Sequence, residues 1–343
     1  MIDPANAAVG IAVSDALFSA HHQLTPYTAH HQGASVKLFV TGGTGFIGSA
    51  LVSEALEAGH ELALLTREPA AWRLAPFRGK INIIPGSLSD VASFAPALNA
   101  LRPDCVAHLG WAGVAGADRN NPKQISNIDW SCRLLLAARE AGAKAFISTG
   151  SQAEYGPKRG IISPDEITEP TTLYGECKLA TFRLLNQLSK NEGMRFAWLR
   201  VFSTYGPADH PYWMIPTLIG TLLRGKKPVL TACEQRWDYL HVADAARAIL
   251  AACESEAGTG VFNLGSGSSP LLRDTVSFIR DQIDPQLPLG FGEIPYRPDQ
   301  VMHLEADTTR LAHKLGWRPR VALADGLAET VVWYRDNSWI FVG

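Results

Sequence analysis

The feature that most constrains the fold is a glycine-rich turn between a short apolar run and a helical segment. Residues 36–40 predict a strand, and residues 46–58 carry apolar side chains at helical spacing before a glycine stop. Candidate ligand contacts at the turn are Gly42, Thr44, Gly45, Phe46, Ile47 and Gly48. Glycine permits the tight path, lets a diphosphate approach main-chain N–H groups and lets the helix pack closely. The turn therefore predicts a dinucleotide site, with a turn that binds nothing as the alternative.

Beyond this turn, short apolar runs alternate with helical segments, which is the sequence form of parallel βαβ units. The other predicted strands are residues 61–65, 81–84, 105–109, 145–148 and 195–201. The other predicted helices are residues 91–101, 125–141, 173–192, 214–223, 242–256, 271–283 and 323–337. The chain is thus predicted to be an α/β protein with a doubly wound parallel sheet and a smaller C-terminal α/β substrate lobe.

The pattern also predicts a division of the chain. Residues 1–35 are expected to be an N-terminal extension outside the core, and residues 36–205 a cofactor domain that some later segments rejoin. Residues 206–343, richer in Pro and Gly, are expected to hold mainly the substrate. The two His-His pairs of the extension have no acidic or Cys partner nearby, so no metal site is predicted.

Bulk properties exclude several classes of partner. A formal net charge of −2 with no basic cluster argues against nucleic acid and acidic membrane surfaces. No apolar run reaches the roughly 18–20 residues that cross a bilayer, so a soluble chain is expected. The five cysteines are widely spaced without a C-x-x-C pair, which favours a reducing, cytoplasmic location.

The residues at the end of the second predicted strand bear on the choice between NAD(H) and NADP(H). NAD-binding sheets usually place an acid there for the ribose 2′-hydroxyl, whereas this chain has Thr66 and Arg67. A guanidinium suits a 2′-phosphate, so NADP(H) is preferred, with Arg73 as a helper and NAD(H) as the alternative. Arg67 could instead be a surface residue paired with its neighbour Glu68.

A phenol and an ammonium four residues apart form the candidate catalytic pair. Tyr174 and Lys178 begin a predicted helix and project from one face of it. A neighbouring Lys⁺ lowers the pKa of a phenol, which makes the pair a usable acid and base. Ser151 comes after the strand at residues 145–148, at the sheet edge where such folds bind ligands, and could hydrogen-bond a substrate oxygen. A cap or turn role is the other interpretation of Ser151.

These motifs together resemble the extended short-chain dehydrogenase/reductase superfamily, in particular its NAD(P)-dependent nucleotide-sugar epimerase, dehydratase and ketoreductase branch. The resemblance runs from about Val36 to Asn337, and includes Tyr155-Gly156, residues 200–207, residues 236–239 and residues 315–317 besides the motifs above. It implies a Rossmann-type sheet. It also implies a supporting role for Asn127, cofactor contacts at Leu88 and Leu109, and substrate contacts at Ser203, Arg236 and Arg297.

The chain departs from the family pattern at several positions. Ser203 stands where an Asn is usual, and Ser87 stands where an adenine-contacting Asp is usual. Trp111 comes directly after His108-Leu109-Gly110 and either shapes the pocket or simply packs. Asp244 and Asp299 are interpreted as cap or turn residues rather than catalytic ones.

The residues at and just after Ser151 narrow the choice of reaction. Dehydratases of the branch carry a Thr-Asp-Glu run where this chain has Ser151, Gln152 and Ala153, so dehydration lacks its acids. Members that both epimerise and reduce carry a Cys where this chain has Ala153, so the base for epimerisation is also missing. The leading hypothesis is NADPH-dependent reduction of a nucleoside-diphosphate 4-keto-6-deoxyhexose. A nucleotide-sugar 4-epimerase and, more remotely, a non-catalytic NADP sensor are the alternatives. The resemblance further implies a homodimer through helices 125–141 and 173–192.

Overall fold

A computed structural model describes residues 35–298 and 300–341 of the chain. Their strands, in chain order, are β1 Lys37–Thr41, β2 Glu61–Thr66, β3 Asn82–Pro85, β4 Cys105–His108, β5 Ala145–Ser151, β6 Ile161–Ile162, β7 Arg195–Val201, β8 Ser203–Tyr205, β9 Arg236–Trp237, β10 Tyr239–His241, β11 Gly260–Leu264 and β12 His303–Ala306. Their α-helices are α1 Phe46–Glu57, α2 Val91–Leu101, α3 Ser126–Glu140, α4 Leu173–Asn191, α5 Met214–Leu223, α6 Val242–Glu254, α7 Leu272–Ile283, α8 Thr309–Leu315 and α9 Leu323–Asp336.

Seven parallel strands form the main sheet in the order β11-β7-β5-β4-β1-β2-β3. Successive side chains of β1 point to opposite faces, as the strand period of two requires. Leu38 and Val40 pack with α1 and α6, whereas Phe39 packs with α2, α3 and α4. Helices therefore cover both faces, which confirms the predicted doubly wound α/β fold.

The second lobe has a core of its own. It is built from α5, α7 and α9, whose apolar faces meet around Ile219, Val276 and Val331. Two small parallel sheets, β8 with β10 and β6-β12-β9, lie outside the main sheet. The cleft between the main sheet and these elements is where the candidate site lies.

The predicted elements match the observed ones closely. The strand predicted at 145–148 continues to Ser151, which makes Ser151 the last residue of β5 instead of a residue beyond it. Segments after residue 205 rejoin the main layer, because β11 pairs with β7 and α6 packs on α1. The extension predicted at 1–35 lies outside the described residues except for its last position. Among described helices, none has the length and apolar character needed to cross a bilayer.

Candidate active site

A cleft of about 1980 Å³ runs along the carboxyl ends of the central strands. The glycine turn, the end of β5 and the start of α4 form one wall of the cleft, and β8, β9 and α5 contribute to the other. Parallel sheets bind ligands at this edge because strand ends and helix starts converge there. The predicted residues that line it are Gly42, Thr44, Gly45, Phe46, Ile47, Gly48, Thr66, Arg67, Leu88, Leu109, Asn127, Ser151, Tyr174, Lys178, Ser203 and Arg297.

The glycine turn has a backbone path that only glycine allows. Gly42 has φ +76°, and a Cβ there would lie 2.6 Å from the backbone N of Gly110. A Cβ on Gly48 would lie 2.1 Å from the carbonyl oxygen of Gly42. Helix α1 begins just after Gly45 with no side-chain cap and no acid in its first turn. Its first N–H groups thus suit a diphosphate, so the residues fit the dinucleotide that the sequence implies.

At the end of β2, the cleft is lined by a cation, Arg67, and positions 66 and 67 carry no acid. Arg67 is exposed, lines the cleft and forms no ion pair with a described residue, so pairing with its neighbour Glu68 is not observed. The Thr66 hydroxyl accepts a 2.9 Å hydrogen bond from the backbone N–H of Glu68. Arg73 does not help here, because its side chain is buried and its Nε donates to the Ala208 carbonyl at 2.9 Å. The suggestion that Arg73 assists Arg67 is therefore wrong.

Ser151 and Tyr174 come together where β5 ends and α4 begins. The Thr172 hydroxyl caps α4 by accepting a 3.1 Å hydrogen bond from the Gly175 N–H, which sets Tyr174 in the first turn. Ser151 and Tyr174 both line the cleft, and hydrogen bonding by the Ser151 side chain acts to lower the pKa of Tyr174. Ser151 also accepts from the Ala153 N–H at 3.2 Å. A capping role and a catalytic role of Ser151 are thus both compatible with its geometry.

Lys178 lies one turn along α4, but its ammonium is directed to groups other than the phenol oxygen. Its Nζ donates to the Thr149 carbonyl at 2.8 Å and lies 3.9 Å from the centroid of the Trp111 ring. Burial raises the pKa of Tyr174, whereas the Ser151 hydrogen bond and the charge of Arg119 act in the opposite direction. Arg119 is therefore a cation that counteracts burial at the phenol, and no sequence motif predicted this contact.

Beneath Ser151 lies a buried ion pair that no sequence motif predicted. The Arg200 Nε donates to a Glu154 carboxylate oxygen at 2.7 Å, and the Trp198 Nε1 donates to the same carboxylate at 3.0 Å. The other Glu154 oxygen accepts from the Ser151 N–H at 2.8 Å. A side chain at Gly150 would collide with both Trp198 and Glu154. The ion pair thus holds the backbone of Ser151 in place at the end of β5.

A buried polar chain links the glycine turn to α3. His108 Nδ1 lies 2.7 Å from the Thr41 hydroxyl, and its Nε2 lies 3.0 Å from the Ser131 hydroxyl, which donates to the Asn127 carbonyl at 2.7 Å. Burial lowers the pKa of His108 to about 3, so the ring is neutral. The Asn127 amide holds the backbone of Ala112 through two hydrogen bonds. Asn127 therefore supports the loop after β4.

The substrate wall differs from the expectation at one position. Arg236 does not line the cleft, because its guanidinium is turned to the Ser269 carbonyl, 3.2 Å from Nη1. Its neighbour Trp237 lines the cleft instead, since successive residues of a strand point to opposite sides. The Trp237 Nε1 donates to the Ser203 hydroxyl at 2.8 Å. Arg297 is exposed at the cleft.

The two acids that were interpreted as structural have different outcomes. Asp244 accepts hydrogen bonds from the N–H groups of Arg320 and Val321 and pairs with Arg247, so it ties α6 to the C-terminal region. Asp299 lies outside the described residues. Within residues 35–298 and 300–341, no group of three or more His, Cys, Asp or Glu side chains could hold a metal ion.

A Rossmann sheet with an open glycine turn beside a Ser-Tyr-Lys set defines an NAD(P)-dependent enzyme of the short-chain dehydrogenase/reductase type. The comparison with protein families agrees. Residues 38–265 match the model of the NAD dependent epimerase/dehydratase family, and the chain belongs to that family.

Individual relatives lie within nucleotide-sugar chemistry. A dTDP-glucose 4,6-dehydratase of Streptomyces niveus is 28% identical over 322 residues, which cover 88% of this chain and 94% of that protein. The crystal structure of a UDP-glucose 4-epimerase of Thermotoga maritima with UDP-glucose is 27% identical, with a TM-score of 0.77 over 88% of this chain and 99% of its own. A UDP-glucuronic acid 4-epimerase of Bacillus cereus, in complex with UDP-glucuronic acid and NAD, is 25% identical, with the same TM-score and coverage. The chain is accordingly a nucleotide-sugar modifying enzyme.

Proposed function

We propose that this enzyme reduces the 4-keto group of a nucleoside-diphosphate 4-keto-6-deoxyhexose with NADPH. The observation that carries the proposal is that Ser151, Tyr174 and the glycine turn line one and the same cleft. In this proposal, residues 36–205 mainly hold the cofactor and residues 206–343 mainly hold the substrate. Gly42, Gly45 and the first turn of α1 hold the diphosphate of the cofactor.

The chemistry assigned to the side chains is proton transfer and orientation. The bound nicotinamide supplies the hydride. Tyr174 gives its phenol proton to the developing alkoxide, and Ser151 orients the same oxygen by hydrogen bonding. Lys178 contacts the nicotinamide ribose in this proposal. Ser203 and Arg297 contact the substrate, Arg297 by charge-assisted hydrogen bonds to its diphosphate.

Dehydration is not favoured, because the positions beside Ser151 carry no acid that faces the cleft. Gln152 and Ala153 line the cleft, whereas the nearest carboxylate, Glu154, is fully buried and paired with Arg200. A carboxylate engaged in a buried ion pair is a poor general base for removing a sugar proton.

NADPH is preferred over NADH on the strength of Arg67. Its guanidinium at the adenosine end of the cleft suits a 2′-phosphate, and an acid that would repel this phosphate is absent from positions 66 and 67. Leu88 and Leu109 supply the apolar walls of the cofactor side in this proposal.

The test is loss of NADPH absorbance in a stopped-flow instrument with 4-keto-6-deoxy sugars linked to dTDP, GDP, CDP and UDP. The proposal expects rapid oxidation of NADPH with at least one of them. Inactivity with all four, together with interconversion of UDP-hexoses without added cofactor, contradicts it.

A 4-epimerase is the second candidate, favoured by the likeness to solved 4-epimerases, one of them bound to NAD. An epimerase keeps its NAD⁺ and returns the hydride to the same sugar. Mass spectrometry of the purified protein under native conditions separates the two candidates. Retained NAD⁺ supports the epimerase, and an enzyme that binds added NADPH reversibly supports the reductase.

We also propose a homodimer formed through α3 and α4. These helices pack side by side on the sheet and expose Leu136 and Leu184. Light scattering of wild type and of a Leu136→Glu, Leu184→Glu double variant tests this: the wild type should have twice the mass of the variant. A cytoplasmic location is proposed with it, supported by the five free cysteines.

A further inference from the structure

The loop between β4 and α3 is held at several points by side-chain hydrogen bonds. The Trp111 Nε1 donates to the Gln124 Oε1 at 2.8 Å, and the Gln124 amide donates to the Asp118 carbonyl at 2.8 Å. Gln124 is almost fully buried. Asn127 holds the start of the loop through Ala112. A loop fastened at both its beginning and its end can place a side chain with the accuracy that an active site needs.

The end of this loop is attached to the start of α4. The Asn120 Oδ1 accepts a 3.1 Å hydrogen bond from the N–H of Leu173, the residue just before Tyr174. Its neighbour Arg119 places its guanidinium carbon 4.9 Å from the centroid of the Tyr174 ring. This distance is within the range of a cation–π contact. The position of Arg119 relative to the phenol is thus set by the same contact that orders the first turn of α4.

Arg119 carries a charge that no described acid neutralises. Its side chain lines the cleft and forms no ion pair within the part of the chain that the structure describes, where its buried Nε also has no hydrogen-bond acceptor. Buried polar groups normally have a partner. Arg200 differs in this respect, because its guanidinium is neutralised by Glu154. The positive charge of Arg119 therefore acts on the groups next to it in the cleft, and the Tyr174 ring is one of these groups.

The other charged groups around Tyr174 do not replace Arg119. Lys178 has its Nζ 6.0 Å from the Tyr174 ring centroid and directs it to Thr149 and Trp111. Glu154 acts in the opposite direction on the phenol, but Arg200 is bonded to it. The Ser151 hydroxyl is neutral.

We infer that Arg119 is a positioning residue whose guanidinium holds the Tyr174 ring and supplies the positive potential that stabilises the phenolate left when the phenol gives up its proton. This inference rests on the proposed role of Tyr174. In the reduction, the hydride released when the C4–H bond of NADPH breaks would form the new C–H bond at the sugar carbon and leave NADP⁺, and the carbonyl π electrons would become the alkoxide. The alkoxide takes the proton of Tyr174, and the phenolate recovers a proton from solvent.

The test measures the protonation of Tyr174 without any turnover. All tyrosines are replaced biosynthetically with 3-fluorotyrosine, whose fluorine lowers the phenol pKa into a range where proteins stay folded. The ¹⁹F resonance of residue 174 is assigned as the one that is missing in Tyr174→Phe, and its titration midpoint is recorded. The variants are Arg119→Gln, which removes the charge, and Arg119→Lys, which keeps it.

We expect the midpoint in R119Q to lie about one pH unit above that of the wild type, a tenfold loss of phenolate at fixed pH. R119K should restore at least half of this shift. Arg133→Gln, which removes an exposed charge on α3 that pairs with Asp129, is the matched control and should leave the midpoint unchanged. A midpoint in R119Q that equals that of R133Q overturns the inference.

A second readout covers the case in which R119Q folds poorly, as judged by its thermal melt. The rate of NADPH oxidation with the active 4-keto sugar nucleotide is then compared between wild type and R119K at several pH values. The same profile and ¹⁹F midpoint are recorded for Arg119→Met, which removes the charge but keeps a long side chain. A midpoint raised in R119M and kept in R119K supports a role for the charge, and equal midpoints in the two variants overturn it. Inactivity of the wild type contradicts the proposed function but leaves the ¹⁹F result decisive for Arg119.

Discussion

The two sides of the cleft differ in how far local sequence determines them. On the cofactor side, the predicted contacts from Gly42 to Lys178 line the cleft, and only the suggested helper Arg73 does not. On the substrate side, Arg236 faces away and Trp237 takes its place. A glycine turn between a strand and a helix has its conformation set by neighbours in sequence. The direction of a side chain on the two-residue strand β9 depends on pairing with β12, which lies far away in sequence.

The two sides also differ in the kinds of group that line them. The cofactor side offers an uncapped helix start and Arg67, whereas the substrate side offers aromatic rings and an exposed arginine, Arg297. We therefore expect cofactor binding to depend on a few polar groups, and substrate binding to depend more on ring contacts such as that of Trp237. Variants on each side, and at the junction between them, test this difference.

The largest expected effect is at the junction of the two sides. Tyr174→Phe removes the phenol proton but keeps the ring under Arg119. Loss of a general acid should lower kcat about 10² to 10⁴-fold while cofactor affinity stays within about twofold. Steady-state kinetics and fluorescence titration with NADPH check the two parts. A variant that keeps wild-type kcat would contradict the assignment of Tyr174.

The next prediction concerns how much the buried ion pair of Glu154 and Arg200 contributes to the stability of the fold. Glu154→Gln leaves the buried Arg200 guanidinium without its counter-ion, which should lower the free energy of unfolding by about 3–5 kcal/mol. The matched control is Glu169→Gln, because Glu169 is exposed and its pair with Lys158 should contribute less than about 1 kcal/mol. Urea unfolding followed by tryptophan fluorescence measures both variants. Equal losses in the two would show that the buried pair has no special role.

A smaller effect is expected at the adenosine end. Arg67→Gln should weaken NADPH binding about tenfold, since one charge-assisted contact to the 2′-phosphate is lost, and should leave NADH binding unchanged. Isothermal titration with each cofactor provides the comparison, with NADH as the internal control. An equal loss for both cofactors would place Arg67 outside the 2′-phosphate contact.

The smallest effect is predicted for the substrate wall. Trp237→Ala should raise KM for the sugar nucleotide roughly fivefold, because it removes the indole that lines the cleft and bonds Ser203. Arg236→Ala should change KM by less than about twofold, because the guanidinium is turned to Ser269. A larger rise in KM for Arg236→Ala than for Trp237→Ala would restore Arg236 as a substrate contact and contradict the difference between the two sides.

Sequence patterns predicted most of the fold and most of the residues that line the cleft, but not the contacts that hold those residues in place. Strands and helices were predicted by apolar periodicity, and the catalytic segment by the order of Ser151, Tyr174 and Lys178. The role of Arg119 could not be inferred, because it depends on a loop that is folded back by Gln124 and attached to α4 by Asn120. Contacts of this kind join residues far apart in sequence, and no local pattern indicates them.

The buried pair of Glu154 and Arg200 illustrates the same limit in another way. Both residues lie in segments that resemble the family, yet an acid on a turn and an arginine on a strand are ordinary surface residues by composition. Only the register of β5 with β7 brings them together, through the pairing of Gly150 with Arg200. A sequence can therefore identify the strands without revealing which charges become partners beneath them.

Hydride transfer to a sugar carbon in the cleft beside Tyr174 is the central claim. The most direct measurement uses NADPH dideuterated at C4 of the nicotinamide with a nucleoside-diphosphate 4-keto-6-deoxyhexose, and examines the product by ¹H NMR. We predict one deuterium at C4 of the sugar and loss of the H4 signal. Reduced sugar that retains a full H4 signal, or sugar nucleotide that is altered without oxidation of NADPH, would contradict this claim.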